Sequence, residues 1–384
     1  MPRLLISSGE PSGEFYAAEL VAELRRRHPG LEAFGLGGDR LAAQEVRLLA
    51  HLKDLAVVGL FEVLSHLRRI KALFDSVVAE AARVRPDVAV LIDYPDFNLR
   101  LARELKKLGI PVVYYVSPQL WAWRRGRIKD VKRDVARMLV IFPFEEEIYR
   151  EAGVPVTFIG HPLVEHVRPP DDRGRVAVSL ELDPSRPVVA LLPGSRNKEV
   201  GFNLPPIVGA VKLLREKRPD LQFVLAAAPH LRDGAFDEAR EAGIAIKEGA
   251  TREILAAARA AIVASGTATV ETALTGTPMV VVYRLSALTY TLGKPLVKVR
   301  NYAMVNLIAG RVVVPELIQN DFTPARVAEE TLKILDDGAT RSRMLEALLE
   351  VRSRLGAGSA TLLAANDVEA FFKHPRDVRA TAPS

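Results

Sequence analysis

The sequence of 384 residues has no cysteine, only two tryptophans and an aromatic content of 6%. Without cysteine, disulfides and thiolate metal sites are excluded. The seven histidines have no clustered spacing, which argues against a zinc centre, and we expect neither a metal nor a cofactor. No run reaches the roughly eighteen apolar residues of a spanning helix, and the first apolar stretch is too short for a signal peptide. We therefore expect the protein to fold in the cytoplasm.

The excess of positive charge is small. Lys and Arg total 53 and Asp and Glu total 47, which gives a net charge of +6. This balance does not indicate nucleic acid, and we expect no nucleic-acid partner, whereas anionic substrates or a membrane surface are compatible with it. The length exceeds one ordinary core, so two domains are expected.

The most informative stretch is residues 85–100, with the sequence RPDVAVLIDYPDFNLR. Residues 88–92 form a continuous apolar run, which is typical of a strand buried on both faces of a parallel sheet. Asp93 and Asp96 follow at once, at the strand end where such sheets bind ligands. A purely structural interpretation stays open, because Asp is also a favoured N-cap and a helix is predicted to begin near Phe97.

A glycine turn follows the first predicted strand, residues 4–7. Small residues allow a ligand to approach the backbone, and the helix start beyond them favours an anion. The turn is weak evidence by itself and is not the dinucleotide fingerprint. The candidate ligand-binding residues of this turn are Gly9, Glu10, Ser12 and Gly13.

Two loops in the second half have the character of phosphate sites. The strand predicted at residues 188–192 runs into a Gly-Ser turn with an arginine, whose planar fork matches phosphate oxygens. The strand at 261–264 leads into a small-residue loop and a helix start, whose N–H groups can hold a second phosphate. Glu271 is placed to accept hydrogen bonds from ribose hydroxyls. The candidate donor-binding residues in these loops are Ser195, Arg196, Gly266, Thr267 and Glu271.

Two other stretches combine apolar and basic residues. Residues 60–78 have apolar positions at helical spacing with arginines between them, and both tryptophans lie in a basic loop at 117–127. Such stretches pack in a core or lie on a bilayer surface, and both interpretations stay open from the residues alone. The candidate lipid-contact residues are Leu60, Phe61, Leu64, Arg68, Arg69, Trp121, Trp123, Arg124 and Arg125.

The alternation of strands and helices predicts βαβ units in two halves. The predicted fold class is α/β, with two Rossmann-like domains facing a cleft and C-terminal helices that pack on the N-terminal domain or on a partner subunit. Proline-rich residues 166–187 read as a hinge. Phosphate loops in the second half and an aspartate pair in the first suit a transferase whose nucleotide donor binds the second domain and whose acceptor binds the first. The predicted ranges are an acceptor domain at 1–165, this hinge, a donor domain at 188–340, C-terminal helices at 341–373 and a disordered tail at 374–384.

The sequence resembles the lipid A disaccharide synthases, a family of inverting glycosyltransferases with the GT-B fold. The similar segments occur in family order from residue 9 to residue 311, and this collinearity is more specific than any one motif. They are GEPSGE (9–14), LAVVGLFEVL (55–64), IDYPDFN (92–98), YVSPQLWAWR (115–124), PFE (143–145), FIGHPL (158–163), LLPGSR (191–196), ASGTATVE (264–271) and VNLIAGR (305–311).

The resemblance implies a donor, UDP-2,3-diacylglucosamine, and an acceptor, 2,3-diacylglucosamine 1-phosphate (lipid X), which give a β-1,6-linked disaccharide 1-phosphate and UDP. It makes Asp93 the candidate base, with Asp96 orienting the acceptor or capping its helix. It also implies that the turn from Gly9 to Gly13 lines the cleft from the acceptor side. Arg196 and the loop amides would stabilise the leaving diphosphate without a metal, and Asn306 would contact the diphosphate or the donor sugar. Acylated substrates favour peripheral binding at the cytoplasmic face of the inner membrane, and a homodimer is a further expectation.

Three other functions compete with this one. A different GT-B transferase would share the donor loops, and a UDP-sugar epimerase would release free sugar without an acceptor. A binding protein with an inert cleft would have no need of a base at Asp93. The motifs IDYPDFN and LWAWR count against the first of these, and fold alone would be a weak guide among them.

Overall fold

The protein is described here by a computed structural model. The structure describes residues 1–55, 63–120, 125–228, 231–232, 234–285 and 301–373. They form two compact units, of which unit 1 comprises Met1–Pro162 with the C-terminal segment from Gly356 and unit 2 comprises Leu163–Leu355. Each unit is built on one parallel sheet.

Unit 1 contains a seven-stranded sheet. Its strands are β1 (Arg3–Ser8), β2 (Glu32–Gly37), β3 (Arg47–His51), β4 (Val88–Ile92), β5 (Val112–Tyr115), β6 (Arg137–Val140) and β7 (Val156–Phe158). Its first helices are α1 (Pro11–Arg27), α2 (Asp39–Ala43), α3 (Leu52–Leu55), α4 (Val63–Val84), α5 (Pro95–Lys107), α6 (Ile128–Asp134) and α7 (Pro143–Glu151). The strands pair in parallel in the order β3-β2-β1-β4-β5-β6-β7.

Strand β4 explains the continuous apolar run in the sequence. All of its residues are buried, and they alternate between two cores. Val88, Val90 and Ile92 face the core that contains α1, whereas Ala89 and Leu91 face the core that contains α5. A strand at the centre of a parallel sheet is covered on both faces, so neither face can be polar.

Unit 2 contains a six-stranded sheet. Its strands are β8 (Val188–Leu192), β9 (Gln222–Ala227), β10 (Ala245–Glu248), β11 (Ala260–Ala264), β12 (Met279–Tyr283) and β13 (Glu316–Ile318). Its helices are α8 (Leu163–His166), α9 (Arg173–Ser179), α10 (Asn197–Lys217), α11 (Asp237–Glu241), α12 (Thr251–Ala257), α13 (Thr267–Leu274), α14 (Met304–Ala309), α15 (Pro324–Asp336) and α16 (Gly338–Arg354). The parallel order is β10-β9-β8-β11-β12-β13.

The last helix, α17 (Ala360–Lys373), returns to unit 1. It packs on α1, and Ala364, Val368 and Phe371 are buried in the same core as β4. Arg27 of α1 pairs with Glu369 at 3.1 Å. The predicted C-terminal helical segment is therefore divided, because α16 belongs to unit 2 and α17 packs on the N-terminal unit, one of the two placements expected.

The proline-rich segment predicted as a hinge contains α9, which belongs to unit 2. The guanidinium group of Arg173 donates hydrogen bonds to the carbonyl oxygens of Ala256 at 2.9 Å, Ala258 at 2.7 Å and Gly276 at 3.0 Å. These bonds attach α9 to the ends of helices in unit 2. In the structure, the first segment of unit 1 ends at Pro162 and unit 2 begins at Leu163.

Several predicted residues lie outside the described part of the chain. They are Leu60, Phe61, Trp121, Trp123, Arg124 and the tail at 374–384, and the side chains of Leu64 and Arg125. Arg68 and Arg69 are described, and both are exposed on α4. The neighbouring Ile70, Leu73 and Phe74 pack against the core of unit 1, so this part of the helix has its apolar face inside.

Candidate functional site

The predicted site loops meet in pairs, one pair in each unit. Strand order reverses between β1 and β4 in unit 1 and between β8 and β11 in unit 2, and doubly wound sheets bind ligands beyond the carboxyl ends of strands at such points. The register sets Ser8 beside Ile92, and Leu192 beside Val263. The Gly9–Gly13 turn is thus next to Asp93, and the loop of Arg196 is next to the loop of Gly266.

The chain makes an unusual turn directly after β4. Asp93 and Tyr94 have φ values of 47° and 49°, a left-handed conformation that costs a non-glycine residue about 1–3 kcal/mol. Helix α5 begins at Pro95, earlier than predicted, and its N-cap residue is Tyr94 rather than either aspartate. Asp93 is half-buried and Asp96 is exposed, and both follow the carboxyl end of the central strand β4.

A buried hydrogen-bond network holds this turn in place. The Nδ2 atom of Asn98 donates to the carbonyl oxygens of Ile92 at 3.1 Å and Asp93 at 2.9 Å. Its Oδ1 accepts from the hydroxyl of Ser7 at 2.8 Å, and the Tyr114 hydroxyl donates to the Asp93 carbonyl at 2.6 Å. Asn98, Ser7 and Tyr114 are fully buried. The position of Asp93 is therefore fixed from beneath, by residues whose role the sequence did not reveal.

Gly9 allows the neighbouring loop to approach the turn closely. A Cβ atom on Gly9 would lie 2.2 Å from Cγ of Tyr94, so any side chain there would displace the tyrosine ring. That ring stacks on Phe97 with centroids 5.5 Å apart. Burial, followed by the charges of Asp96 and Glu10, raises the pKa of Tyr94. The predicted turn residue Glu10 therefore lies near the Asp93 turn.

The last residue of the GEPSGE motif has a structural role. The buried Glu14 accepts hydrogen bonds at Oε1 from the backbone N–H groups of Arg40 at 2.8 Å and Leu41 at 3.3 Å, which belong to the first turn of α2. Its carboxylate therefore links the loop after β1 to the loop after β2. Ser12 is exposed and Gly13 is buried at the start of α1, and their contact with an acceptor stays a prediction.

In unit 2, the loop after β8 exposes Ser195 and Arg196. The Ser195 N–H group donates to Oε2 of Glu199 at 3.2 Å, and Nη1 of Arg196 donates to Oε1 of the same residue at 3.3 Å. The arginine side chain is 68% exposed, so its guanidinium group is accessible to a ligand. The buried Asn203 donates to the Pro193 carbonyl oxygen at 2.9 Å and supports the loop from below.

The loop after β11 opens directly into α13. Gly266 has φ 148°, a value that favours glycine, and α13 begins at Thr267. Both residues are exposed, as a site for an anion at backbone N–H groups requires. The Ser265 hydroxyl donates to the carbonyl oxygen of Tyr302 at 2.9 Å. Glu271 accepts a hydrogen bond from Nε of Arg252 at 2.8 Å, and its contact with a ribose stays a prediction.

Asn306 has a structural role that the sequence did not indicate. Its Nδ2 donates to the Val314 carbonyl at 2.9 Å and to Glu316 at 2.6 Å, and its Oδ1 accepts from the N–H groups of Val313 and Val314. The side chain is fully buried, and these bonds use both donors and both acceptor positions. A contact between this amide and the donor would require one of the bonds to be exchanged.

His161 follows β7 and is almost fully buried. Its ring lies 5.4 Å from that of Phe142 and 6.2 Å from that of Tyr16. Burial lowers the pKa of His161 to about 3 from its ordinary 6.5. The imidazole is therefore neutral at physiological pH.

This burial predicts acid sensitivity. Between pH 6.5 and 3 the unfolded state binds a proton that the folded state does not, so the free energy of unfolding falls as pH falls, by up to about 1.4 kcal/mol per pH unit. We expect His161→Gln to flatten this slope in urea titrations between pH 6.5 and 4. The control is His51→Gln, because His51 is only partly buried and pairs with the exposed Asp39 at 3.0 Å. This variant should leave the slope unchanged. Equal slopes for wild type and His161→Gln would contradict the prediction.

Across the described ranges, no three acidic or histidine side chains are grouped to hold a metal ion. Metal independence stays a prediction. None of the helices described is both long and apolar enough to cross a membrane.

Comparison with known protein families gives matches over nearly the whole chain. The family model described as Lipid-A-disaccharide synthetase matches residues 4–362. The chain is 48% identical over 370 residues to the lipid-A-disaccharide synthase of Myxococcus xanthus, and the aligned stretch covers 96% of this chain and 97% of the relative. It is 50% identical over 364 residues to that of Koribacter versatilis, with coverage of 93% and 94%.

Solved structures give similar folds at low sequence identity. A UDP-GlcNAc 2-epimerase from Neisseria meningitidis bound to UDP-GlcNAc has a TM-score of 0.67 at 12% identity, covering 96% of this chain and 100% of that chain. A ugt transferase from Siraitia grosvenorii in complex with UDP has a TM-score of 0.63 at 14% identity, covering 97% and 100%. These likenesses concern the fold alone, and they confirm the predicted pair of Rossmann-like domains.

Proposed function

The chain belongs to the lipid-A-disaccharide synthetase family, and from this premise we propose that it transfers 2,3-diacylglucosamine from UDP-2,3-diacylglucosamine to 2,3-diacylglucosamine 1-phosphate. Membership of the family confirms the resemblance expected from the collinear motifs, and the protein is a glycosyltransferase. In the proposed reaction the products are a β-1,6-linked disaccharide 1-phosphate and UDP.

One observation supports the binding of different substrates by the two units. The switch point of unit 1 carries carboxylates at Asp93 and Asp96, whereas that of unit 2 carries Arg196 and the exposed backbone at Gly266 and Thr267. A carboxylate suits the removal of a proton, and an arginine with helix N–H groups suits a diphosphate. We therefore assign the acceptor to unit 1 and the donor to unit 2.

The proposed chemistry is a single displacement. The acceptor 6-hydroxyl oxygen attacks the anomeric carbon of the donor sugar on the face opposite UDP, and its proton passes to the carboxylate of Asp93. The bond between the anomeric carbon and the phosphate oxygen breaks, and UDP leaves with the electron pair. Arg196 and the N–H groups at the start of α13 stabilise the charge that develops on the diphosphate. Inversion at the anomeric carbon gives the β linkage.

The experiment that tests this function measures UDP release from UDP-2,3-diacylglucosamine, with and without the monosaccharide 1-phosphate and in the presence of EDTA. We expect release that requires the acceptor and survives chelation, with the disaccharide 1-phosphate identified by mass spectrometry. Release without acceptor would instead indicate an epimerase or a hydrolase. Loss of activity in EDTA would contradict the metal-free chemistry.

We also propose that the protein binds the membrane surface peripherally. Arg68, Arg69 and Lys71 are exposed on α4, and a basic side chain near anionic lipid contributes about 1 kcal/mol. We expect sedimentation with vesicles that contain phosphatidylglycerol, and loss of binding in high salt. The double change Arg68→Gln and Arg69→Gln should weaken binding roughly tenfold or more. Arg103→Gln on α5 is the control, and equal weakening by both variants would contradict the proposal.

A further inference from the structure

Arg127 lies beside the Asp93 turn and pairs with Asp96. It ends a short 3-10 turn, Arg125–Arg127, immediately before α6, and its Nη2 contacts Oδ1 of Asp96. Only 25% of the arginine side chain is exposed, against 68% of the aspartate side chain. The arginine side chain is therefore mostly shielded from solvent, whereas the aspartate side chain that pairs with it is mostly exposed.

Such a pair is easily exchanged for a better anion. An ion pair with one exposed partner contributes little to stability, because solvent screens it. A phosphate monoester carries more charge than a carboxylate and offers oxygens that match the planar fork of arginine. A phosphate oxygen can therefore replace the oxygen of Asp96 that contacts Arg127.

The charge of Arg127 acts close to Asp93. The hydroxyl of Tyr114 donates to the Asp93 carbonyl oxygen at 2.6 Å. Burial raises the pKa of Tyr114 well above its ordinary value, the charges of Asp93 and Asp96 raise it further, and the charge of Arg127 opposes them. An anion bound at Arg127 is thus a neighbour of the residue that we propose as the base.

The phosphate of the proposed acceptor requires a cation near Asp93. The acceptor brings an anionic phosphate to the carboxyl ends of β1 and β4, where the carboxylates of Glu10, Asp93 and Asp96 already lie. Its 6-hydroxyl and its 1-phosphate are attached to one hexose, so the groups that hold them must also be neighbours. Arg127 meets both conditions.

We propose that Arg127 binds the 1-phosphate of the acceptor, and that Asp96 holds its guanidinium group until the phosphate replaces it. This inference rests on the proposed function, because it names the residue that recognises one of the two substrates. It gives the pair of aspartates distinct roles, with Asp93 acting on the hydroxyl and Asp96 acting through Arg127.

The test compares two acceptors, 2,3-diacylglucosamine 1-phosphate and the same sugar with a free 1-hydroxyl. We expect the wild type to prefer the phosphorylated acceptor by about tenfold to a hundredfold in kcat/KM. Arg127→Gln should abolish this preference by raising the KM for the phosphorylated acceptor, with little change for the other. Arg127→Lys keeps the charge without the fork and should retain part of the preference.

Arg150→Gln is the matched control, because Arg150 also pairs with a carboxylate in unit 1, Glu146 of the same helix, at 2.8 Å. It should leave the preference unchanged. A wild type without a preference, or an Arg127→Gln variant that keeps it, would overturn the inference while leaving the proposed function intact. Absence of transfer to either acceptor would instead overturn the proposed function. If Arg127→Gln does not fold, Arg127→Met takes its place as the uncharged variant, and full preference in Arg127→Met would overturn the inference in the same way.

Discussion

Asp93→Asn is expected to lower kcat by at least about a hundredfold, because the amide cannot take the proton of the acceptor hydroxyl. The side chain keeps its size, so the left-handed turn and its network should persist, and the KM values for both substrates should change little. The measurement is UDP release at saturating donor and acceptor.

Asp87→Asn is the matched control for this change. Asp87 lies just before the opposite end of the same strand, where it accepts a hydrogen bond from the Arg3 backbone N–H group at 2.7 Å. Its replacement should leave kcat unchanged. Near-normal turnover in Asp93→Asn would move the base to another residue without altering the family assignment.

Asn98→Ala is expected to reduce both stability and turnover. The change removes the donors that bind the carbonyl oxygens of Ile92 and Asp93 and the acceptor that binds Ser7, all beneath the turn. A buried polar group left without a partner costs about 1–3 kcal/mol, and we expect a loss of about 3 kcal/mol in the free energy of unfolding. A less ordered Asp93 should lower kcat by at least about tenfold. Urea titration and UDP release measure the two effects.

Two further variants separate positioning from stability. Asn98→Asp keeps the size and the acceptor for Ser7 but cannot donate, so it should also lower kcat. Asn203→Ala removes a buried amide of unit 2 and should destabilise the protein comparably, but its catalytic effect should appear in the KM for the donor. A normal kcat in both Asn98 variants would show that the network does not position Asp93.

Buried central strands were predictable from the sequence, whereas strands β3 and β13 were not. Residues 88–92 and 188–192 were predicted with the bounds that the structure has, because both strands are buried on two faces and leave an uninterrupted apolar run. Strand β3 is only partly buried, and β13 has three residues. In strands β3 and β13, pairing with a neighbouring strand decides the structure, and the residues of the strand themselves carry little signal.

The loops of the candidate site were predictable from the sequence, but the residues that hydrogen-bond to these loops from inside the protein were not. Strand ends, small residues and charges indicated Asp93, Arg196 and Gly266. The pairing of the loops depends on strand order, which arises from tertiary structure. Asn98 and Glu316 look like ordinary polar residues in the sequence, and only the structure shows the hydrogen bonds that they make to the loops. The same reasoning placed Asn306 among the ligand contacts, although its amide is fully used inside the protein.

The position of α17 in the sequence determines the order in which the two units can complete their cores during translation. Unit 2 is continuous from Leu163 to Leu355, so it can complete its core while the chain is still being synthesised. Unit 1 begins first but finishes last, because the helix that covers the α1 side of its sheet is translated after all of unit 2. A ribosome that stops early thus releases a chain with an uncovered apolar sheet face, which chaperones and proteases recognise. Only a chain translated through α17 can complete the core of the unit that carries Asp93.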